Sequence, residues 1–157
     1  MNPLDDFEVQ GPEREEALHR LYGQIEAWGL VLPPVDAIPL HFGLHRFAAI
    51  GETEFWIANE EAAGYCGKFL FVFDGQTCPY HEHRVKHETF FLVKGSVTMK
   101  VGMEERIMSA GDLLAMPPGT GHSFTGRGAA LILEVSMPSI RQDSFFLDKT
   151  IGDEGVL

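Results

Sequence analysis

Two histidines and a glutamate lie close together in the middle of the chain and could bind a metal ion. His81 and His83 are two residues apart, and Glu88 follows five residues later, just before an apolar run. Residues two apart on a β-strand point to the same face, so both imidazoles would face one ligand. Two imidazoles and a carboxylate suit a borderline divalent cation such as manganese, iron, nickel or zinc. The spacing alone is weak evidence, because histidines also lie on surfaces or make hydrogen bonds in protein cores.

A second segment, residues 111–122, could supply a further ligand. An apolar run there ends in a turn containing Pro117 and Gly119, and His122 follows just past the turn. In a β-barrel this histidine could complete a set of three histidines and one glutamate that faces the interior. The 15 residues between the two segments are about the length of one hairpin.

The elements that must position these residues are predicted to be mostly β-strands. Residues 12–29 carry apolar side chains at helical spacing and predict one helix that packs on the core. The prolines of residues 31–39 predict a connector without regular structure. From about residue 42 onward, short apolar runs separated by glycine-containing turns are typical of a β-sandwich or barrel. The runs are residues 55–58, 67–73, 90–93, 97–101, 105–108, 113–116 and 129–135.

Length and composition predict one acidic domain. The 157 residues suit a single domain, in which residues 1–40 form the helix and connector that pack on a barrel of residues 41–157. Acidic residues outnumber basic ones 23 to 12, which argues against nucleic acids and anionic membranes as partners. Cys66 and Cys78 form no C-x-x-C motif. Because no signal peptide or membrane span is recognisable, we expect a cytoplasmic protein.

The two segments resemble the two motifs of the cupin superfamily. The pattern Gly75-x5-His81-x-His83-x4-Glu88-x6-Gly95 matches the first motif at every fixed position. The pattern Gly111-x5-Pro117-x-Gly119-x2-His122 matches the second up to its final asparagine, where this chain has Gly126. The resemblance implies an all-β fold, the cupin β-barrel (a double-stranded β-helix or jelly roll). It also implies that His81, His83, Glu88 and His122 are metal ligands.

A closer resemblance, over roughly residues 41–152, is to the D-lyxose ketol-isomerase family of bacterial cupins. The carrying residues are Gly-Gln-Thr-Cys-Pro at 75–79, the two histidines, and Lys86-x-Glu88-Thr-Phe. This resemblance implies a metal-dependent aldose–ketose isomerase for a free sugar, such as D-lyxose/D-xylulose or D-mannose/D-fructose. The expected cofactor is a divalent metal, foremost Mn2+, with Fe, Co, Ni or Zn as alternatives.

Sugar isomerisation also needs a base and a proton donor, and two residues fit these roles. Glu134 lies inside an apolar run, where a carboxylate is costly to bury, so a role in the pocket is favoured. Lys86 precedes Glu88 by two residues, which places it on the metal side if the alternation continues.

Two other functions and one assembly state also follow from the sequence. The same ligands would suit a non-haem iron dioxygenase or a non-catalytic sugar-binding cupin. Because cupin sheets are commonly covered by a second subunit, we expect a homodimer.

Overall fold

The computed structural model describes residues 6–157, which form one helix and two antiparallel sheets. The helix α1 spans Gly11–Ala27, close to the predicted 12–29, and Gly29 follows it with a positive φ of 68°. The strands, in chain order, are β1 (Ala37–Leu40), β2 (Glu52–Glu60), β3 (Tyr65–Val72), β4 (Thr77–His83), β5 (Glu88–Lys94), β6 (Ser96–Val101), β7 (Glu104–Ser109), β8 (Leu113–Met116), β9 (His122–Gly126), β10 (Ala130–Ser136) and β11 (Ser144–Phe146).

The strands form two sheets that face each other. The six-stranded sheet has the order β1-β2-β3-β10-β5-β8, and the five-stranded sheet has the order β11-β4-β9-β6-β7. Buried apolar residues from both sheets, among them Leu70, Phe90, Met99 and Phe124, pack together between them. This is the predicted all-β barrel.

Both segments that carry the candidate ligands are joined by one hairpin, as predicted. Strands β6 and β7 pair along their whole length, from Ser96↔Ser109 to Val101↔Glu104. Gly95 starts this hairpin with a φ of 76°, and the backbone of Ala129 leaves no room there for a Cβ atom. Glycine therefore meets both the conformational and the steric requirement at this turn.

The helix covers part of the outer face of the six-stranded sheet. Leu21 and Ile25 of α1 are buried against Phe55, Phe71 and Leu131, which point away from the barrel interior. Because side chains alternate between the two faces of a strand, the residues next to these in β2, β3 and β10 point into the barrel. The inner face of this sheet is where the pocket lies.

The prediction of an irregular connector at residues 31–39 is wrong at its end. Residues Ala37–Leu40 form β1, which pairs with β2 from Ala37↔Phe55 to Leu40↔Glu52. Proline is tolerated in β1 because β1 is the edge strand of its sheet, where a missing N–H group costs no ladder hydrogen bond. The last four residues of the segment predicted as helix and connector, 1–40, therefore belong to the six-stranded sheet.

Among residues 6–157, α1 falls short of the length and hydrophobicity that a membrane-crossing helix needs.

Candidate metal centre and its pocket

Three histidines of the five-stranded sheet converge at one end of the barrel. His81 and His83 lie on β4, and His122 begins β9 directly opposite His81 in the strand register. Their potential ligand nitrogens all lie within 4.8 Å of one another. The structure thus brings together the three histidines that the sequence predicted.

Backbone hydrogen bonds determine which nitrogen of each ring is free. In each ring Nδ1 lies near a carbonyl oxygen: Pro79 at 2.7 Å from His81, Asp143 at 2.9 Å from His83, and Thr120 at 3.0 Å from His122. A carbonyl only accepts, so each Nδ1 carries the proton and donates. The Nε2 atoms are left with lone pairs, which is the tautomer that a metal ligand requires.

Glu88 approaches the histidines from the other sheet. It is the first residue of β5, and its Oε1 and Oε2 atoms each lie 3.4 Å from an Nε2 atom, of His83 and His122 respectively. Within the described part of the chain, Glu88 Oε2 and His122 Nε2 are buried and have no hydrogen-bond partner. Two buried acceptors facing each other cannot satisfy each other, whereas a cation between them would satisfy both.

The electrostatics favour the protonation states that bind metal. Burial, followed by the neighbouring His122 and His83, holds the pKa of His81 well below its ordinary value. Burial also lowers the pKa of His122. Burial would raise the pKa of Glu88, but its contact with His83 and the charge of Lys86 outweigh this effect and hold that pKa well below normal. Near neutral pH His81 and His122 are therefore neutral and Glu88 is ionised.

Lys86 and Glu134, the two candidate catalytic residues, lie beside this centre. The Nζ atom of Lys86 is 2.7 Å from Glu88 Oε1 and 3.1 Å from Glu134 Oε1. Glu134 also accepts a hydrogen bond of 2.9 Å from the Ser136 hydroxyl. Both side chains are almost completely buried, at 3% and 2% exposure. Lys86 thus links the candidate ligand to the candidate base.

The loop that presents Lys86 is held by a residue for which the sequence suggested no role at the site. The Asp143 carboxylate accepts backbone N–H bonds from Arg84 (2.9 Å), Val85 (3.0 Å) and Lys86 (3.0 Å). Its backbone carbonyl is also the acceptor for His83 Nδ1. Asp143 therefore holds the segment between His83 and Glu88 through both its side-chain carboxylate and its backbone carbonyl.

The charged groups continue along the inner face of the six-stranded sheet. Lys68 Nζ lies 3.7 Å from Glu134 Oε2 and 2.8 Å from Glu54 Oε1, and the Trp56 indole donates to Glu54 Oε2 at 2.7 Å. We call the series Glu54–Lys68–Glu134–Lys86–Glu88 the ion-pair chain. It runs from β2 through β3 and β10 to β5, which are neighbouring strands.

Sequence reasoning missed the β2 and β3 members of this chain. The signal that could have found them is the alternation Glu52-Thr53-Glu54-Phe55 in β2, where two carboxylates share one face of a strand whose other face is apolar. Such a face is usually exposed to solvent. Here it points into the barrel.

A pocket of about 740 Å³ connects these groups. Its lining includes His81, His83 and the ion-pair chain, together with apolar side chains such as Phe42 and Phe146. This volume and this mixture of apolar walls with a few polar groups are typical of small-molecule sites.

Comparison with known proteins agrees with this architecture. The family model of the cupin domain (Cupin_2) matches residues 69–136, which include both motifs. The chain has the cupin fold. The L-ribose isomerase of Cellulomonas parahominis, solved with L-ribose, superimposes over 96% of this chain and 97% of its own, with a TM-score of 0.74 and 17% identity. The L-ribose isomerase of Acinetobacter sp. DL28, also in complex with L-ribose, covers 85% of this chain and 83% of its own, with a TM-score of 0.68 and 17% identity.

A curated relative supports the closer resemblance. The D-lyxose ketol-isomerase of Cohnella laeviribosi is 28% identical over 174 residues, covering 91% of this chain and 94% of that protein. The similarity therefore extends beyond the cupin barrel to the N-terminal helix. The resemblance to cupins and to D-lyxose ketol-isomerase that the motifs predicted is confirmed.

Proposed function

We propose that this protein is a metal-dependent aldose–ketose isomerase that acts on a free sugar such as D-lyxose/D-xylulose or D-mannose/D-fructose. The observation that carries the proposal is the position of Lys86, whose Nζ lies within hydrogen-bond distance of both Glu88 and Glu134. It connects a metal-type ligand set to a buried carboxylate in one pocket. The similarity to sugar isomerases supports the same reaction.

The residues that would hold the metal are His81, His83, Glu88 and His122. Three neutral imidazoles and one carboxylate fit several divalent ions, and we propose Mn2+ first, with Fe, Co, Ni or Zn as alternatives. When bound, the ion would act as a Lewis acid towards the oxygens at C1 and C2 of the sugar.

Glu134 is proposed as the base that moves hydrogen between the carbons. Converting an aldose into a ketose moves one hydrogen from C2 to C1 and one proton from the C2 hydroxyl to the oxygen at C1. Burial, assisted by the negative charge of Glu88, raises the pKa of Glu134 despite the opposing charges of Lys68 and Lys86. A raised pKa brings a carboxylate closer to the range in which a general base is efficient.

Lys86 is proposed as the group that handles the oxygen protons. Its Nζ atom lies 3.4 Å from the Ser139 hydroxyl in addition to its two carboxylate neighbours, so the ammonium is held in one position. From there it would donate to a sugar oxygen while Glu134 holds the proton taken from carbon.

The charges of the pocket favour a sugar without phosphate. Both pocket lysines already pair with carboxylates. Among the described lining residues only Arg141 is a cation without a carboxylate partner, whereas phosphate sites usually provide a cluster of cations. A phosphate dianion would also approach Glu54 and Glu134. Hydroxyl groups, in contrast, can donate to carboxylates and accept from ammonium groups.

The proposal is tested by incubating the purified protein without oxygen, with Mn2+ and a panel of free aldoses, and measuring ketose. We expect a ketose from at least one aldopentose or aldohexose. Absence of ketose from every sugar, with oxygen uptake on another substrate, would favour the dioxygenase. Sugar binding without turnover would favour the non-catalytic alternative.

Solvent deuterium distinguishes the two routes of hydrogen transfer. If Glu134 carries the proton through an enediol, deuterium from D2O enters the product at C1. A direct hydride shift from C2 to C1 would leave the product free of carbon-bound deuterium and would remove the proposed role of Glu134.

A further inference from the structure

One carboxyl group in the pocket has an oxygen atom without a partner and has no role in the chemistry described above. Glu52 begins β2, is only 5% exposed, and lines the same pocket as the ion-pair chain. Its Oε2 atom has no hydrogen-bond partner among the described residues. A buried polar atom without a partner is rare in native proteins and points to a ligand that completes it.

The neighbouring carboxylate shows the contrast. Glu54, two residues along the same face of β2, has both oxygens occupied, by Lys68 and by the Trp56 indole. Burial would raise the pKa of Glu54, but the charge and hydrogen bond of Lys68 outweigh it and lower that pKa. Glu54 is therefore an ionised member of the ion-pair chain, whereas Glu52 does not belong to that chain.

We propose that Glu52 binds a hydroxyl group on the part of the sugar that does not react, and so helps to select the substrate. This inference rests on the proposed isomerase function. Glu52 lies on β2, which is separated from Glu88 on β5 by the strands β3 and β10. Within this sheet Glu52 is therefore three strands away from Glu88, and its neighbour Cys78 lies on β4, three residues before His81.

The charge state of Glu52 suits a hydroxyl. Burial and the negative charge of Glu54 raise its pKa to about 8, against the opposing effects of Lys68 and a Cys78 hydrogen bond, and the charge of Glu134 adds to the rise. Near neutral pH the carboxyl is mostly protonated. A neutral carboxyl offers one O–H donor and one acceptor, and a sugar hydroxyl complements both.

Replacing Glu52 separates substrate binding from folding and from chemistry. We expect Glu52→Ala to raise KM for the sugar about tenfold, the effect of losing one or two hydrogen bonds. We expect kcat and bound metal to change little. Glu52→Gln keeps a donor and an acceptor in the same place and should restore KM to within about threefold of the wild type. Glu60→Ala, at the exposed end of the same strand, is the matched control.

Deoxy sugars test the contact itself. With the best aldopentose and its 4-deoxy and 5-deoxy analogues, the wild type should lose about tenfold in kcat/KM for at least one analogue. Glu52→Ala should lose less than about twofold for that analogue, because the contact is already gone. Equal losses in both enzymes for each analogue would overturn the proposal.

The pH dependence supplies an independent readout. Because Glu52 is protonated below a pKa of about 8, KM of the wild type should rise as the pH increases past that value. The groups that face Glu52 and could titrate with it are Glu54, Lys68, Cys78 and Glu134, and all are retained in Glu52→Gln. The rise should therefore disappear in Glu52→Gln. An identical rise in both enzymes would contradict the role of Glu52.

Failure of this inference differs from failure of the isomerase function. A wild type that converts no sugar overturns both. A wild type that converts sugar, with KM and deoxy-sugar discrimination unchanged in Glu52→Ala, overturns only the role of Glu52.

Discussion

Asp143 offers a sharp test of how the loop that carries Lys86 is held. Its carboxylate is buried and accepts three successive backbone N–H bonds, from Arg84, Val85 and Lys86. Replacing Asp143 with asparagine preserves the size of the side chain. One oxygen is retained for Arg84 and Val85, but the amide NH2 group then faces the buried N–H of Lys86 and cannot accept from it.

The structure sets the size of the effect. A hydrogen bond to a charged group contributes about 1.5–3 kcal/mol. Asp143→Asn loses the bond to Lys86 and weakens the other two, so we expect a loss of about 2–3 kcal/mol. For a domain of this length that corresponds to a fall in Tm of about 4–12 °C. A displacement of Lys86 by about 1 Å should also lower kcat by about 10- to 100-fold.

Thermal unfolding, bound metal and sugar turnover are measured on the same preparations. Metal should stay bound, because His83 uses the backbone carbonyl of Asp143 rather than its side chain. Asp148→Asn is the matched control, since Asp148 is exposed and its carboxylate bonds only to Thr150 among the described residues. If Asp143→Asn matches this control in both Tm and kcat, the carboxylate does not hold the loop and our reasoning is refuted.

Three further predictions concern the ligands, the base and the assembly. Glu88→Gln should remain folded by circular dichroism but lose its metal by elemental analysis; full metal occupancy would show that Glu88 is not a ligand. Glu134→Gln should keep the metal and lose at least about 100-fold in kcat, as expected for a general base, and near-normal turnover would exclude that role. The uncovered outer face of the six-stranded sheet exposes Phe91, Leu113 and Val135, and we expect it to form the homodimer. Val135→Lys should therefore halve the molar mass measured by light scattering. A wild-type protein that is already a monomer would contradict the predicted dimer.

The local part of the site could be predicted from the sequence. Strand alternation and one hairpin between two segments explain the spacing of the four candidate ligands, His81, His83, Glu88 and His122. Glu134 was found because a carboxylate inside an apolar run needs a partner. These arguments use neighbours in sequence and the motifs of a known fold, so they need no knowledge of long-range pairing.

The remaining part depends on which strands become neighbours. Lys68 reaches Glu134 because β3 pairs with β10, more than sixty residues away in sequence. Asp143 reaches the Lys86 loop because β11 pairs with β4. The edge strand β1 was missed because Pro39 argues against a strand unless the edge position is known. Patterns within one segment do not specify these long-range partners.

The most direct test of the central claim is a metal titration of the proposed isomerase activity. Protein treated with a chelator is assayed with the best aldose while Mn2+ is added, and bound metal and ketose are measured together. We predict no ketose without metal and a rate that rises in proportion to bound metal up to about one ion per chain, the number that one three-histidine, one-glutamate set would hold. Ketose formed at the full rate by the metal-free protein would contradict the account.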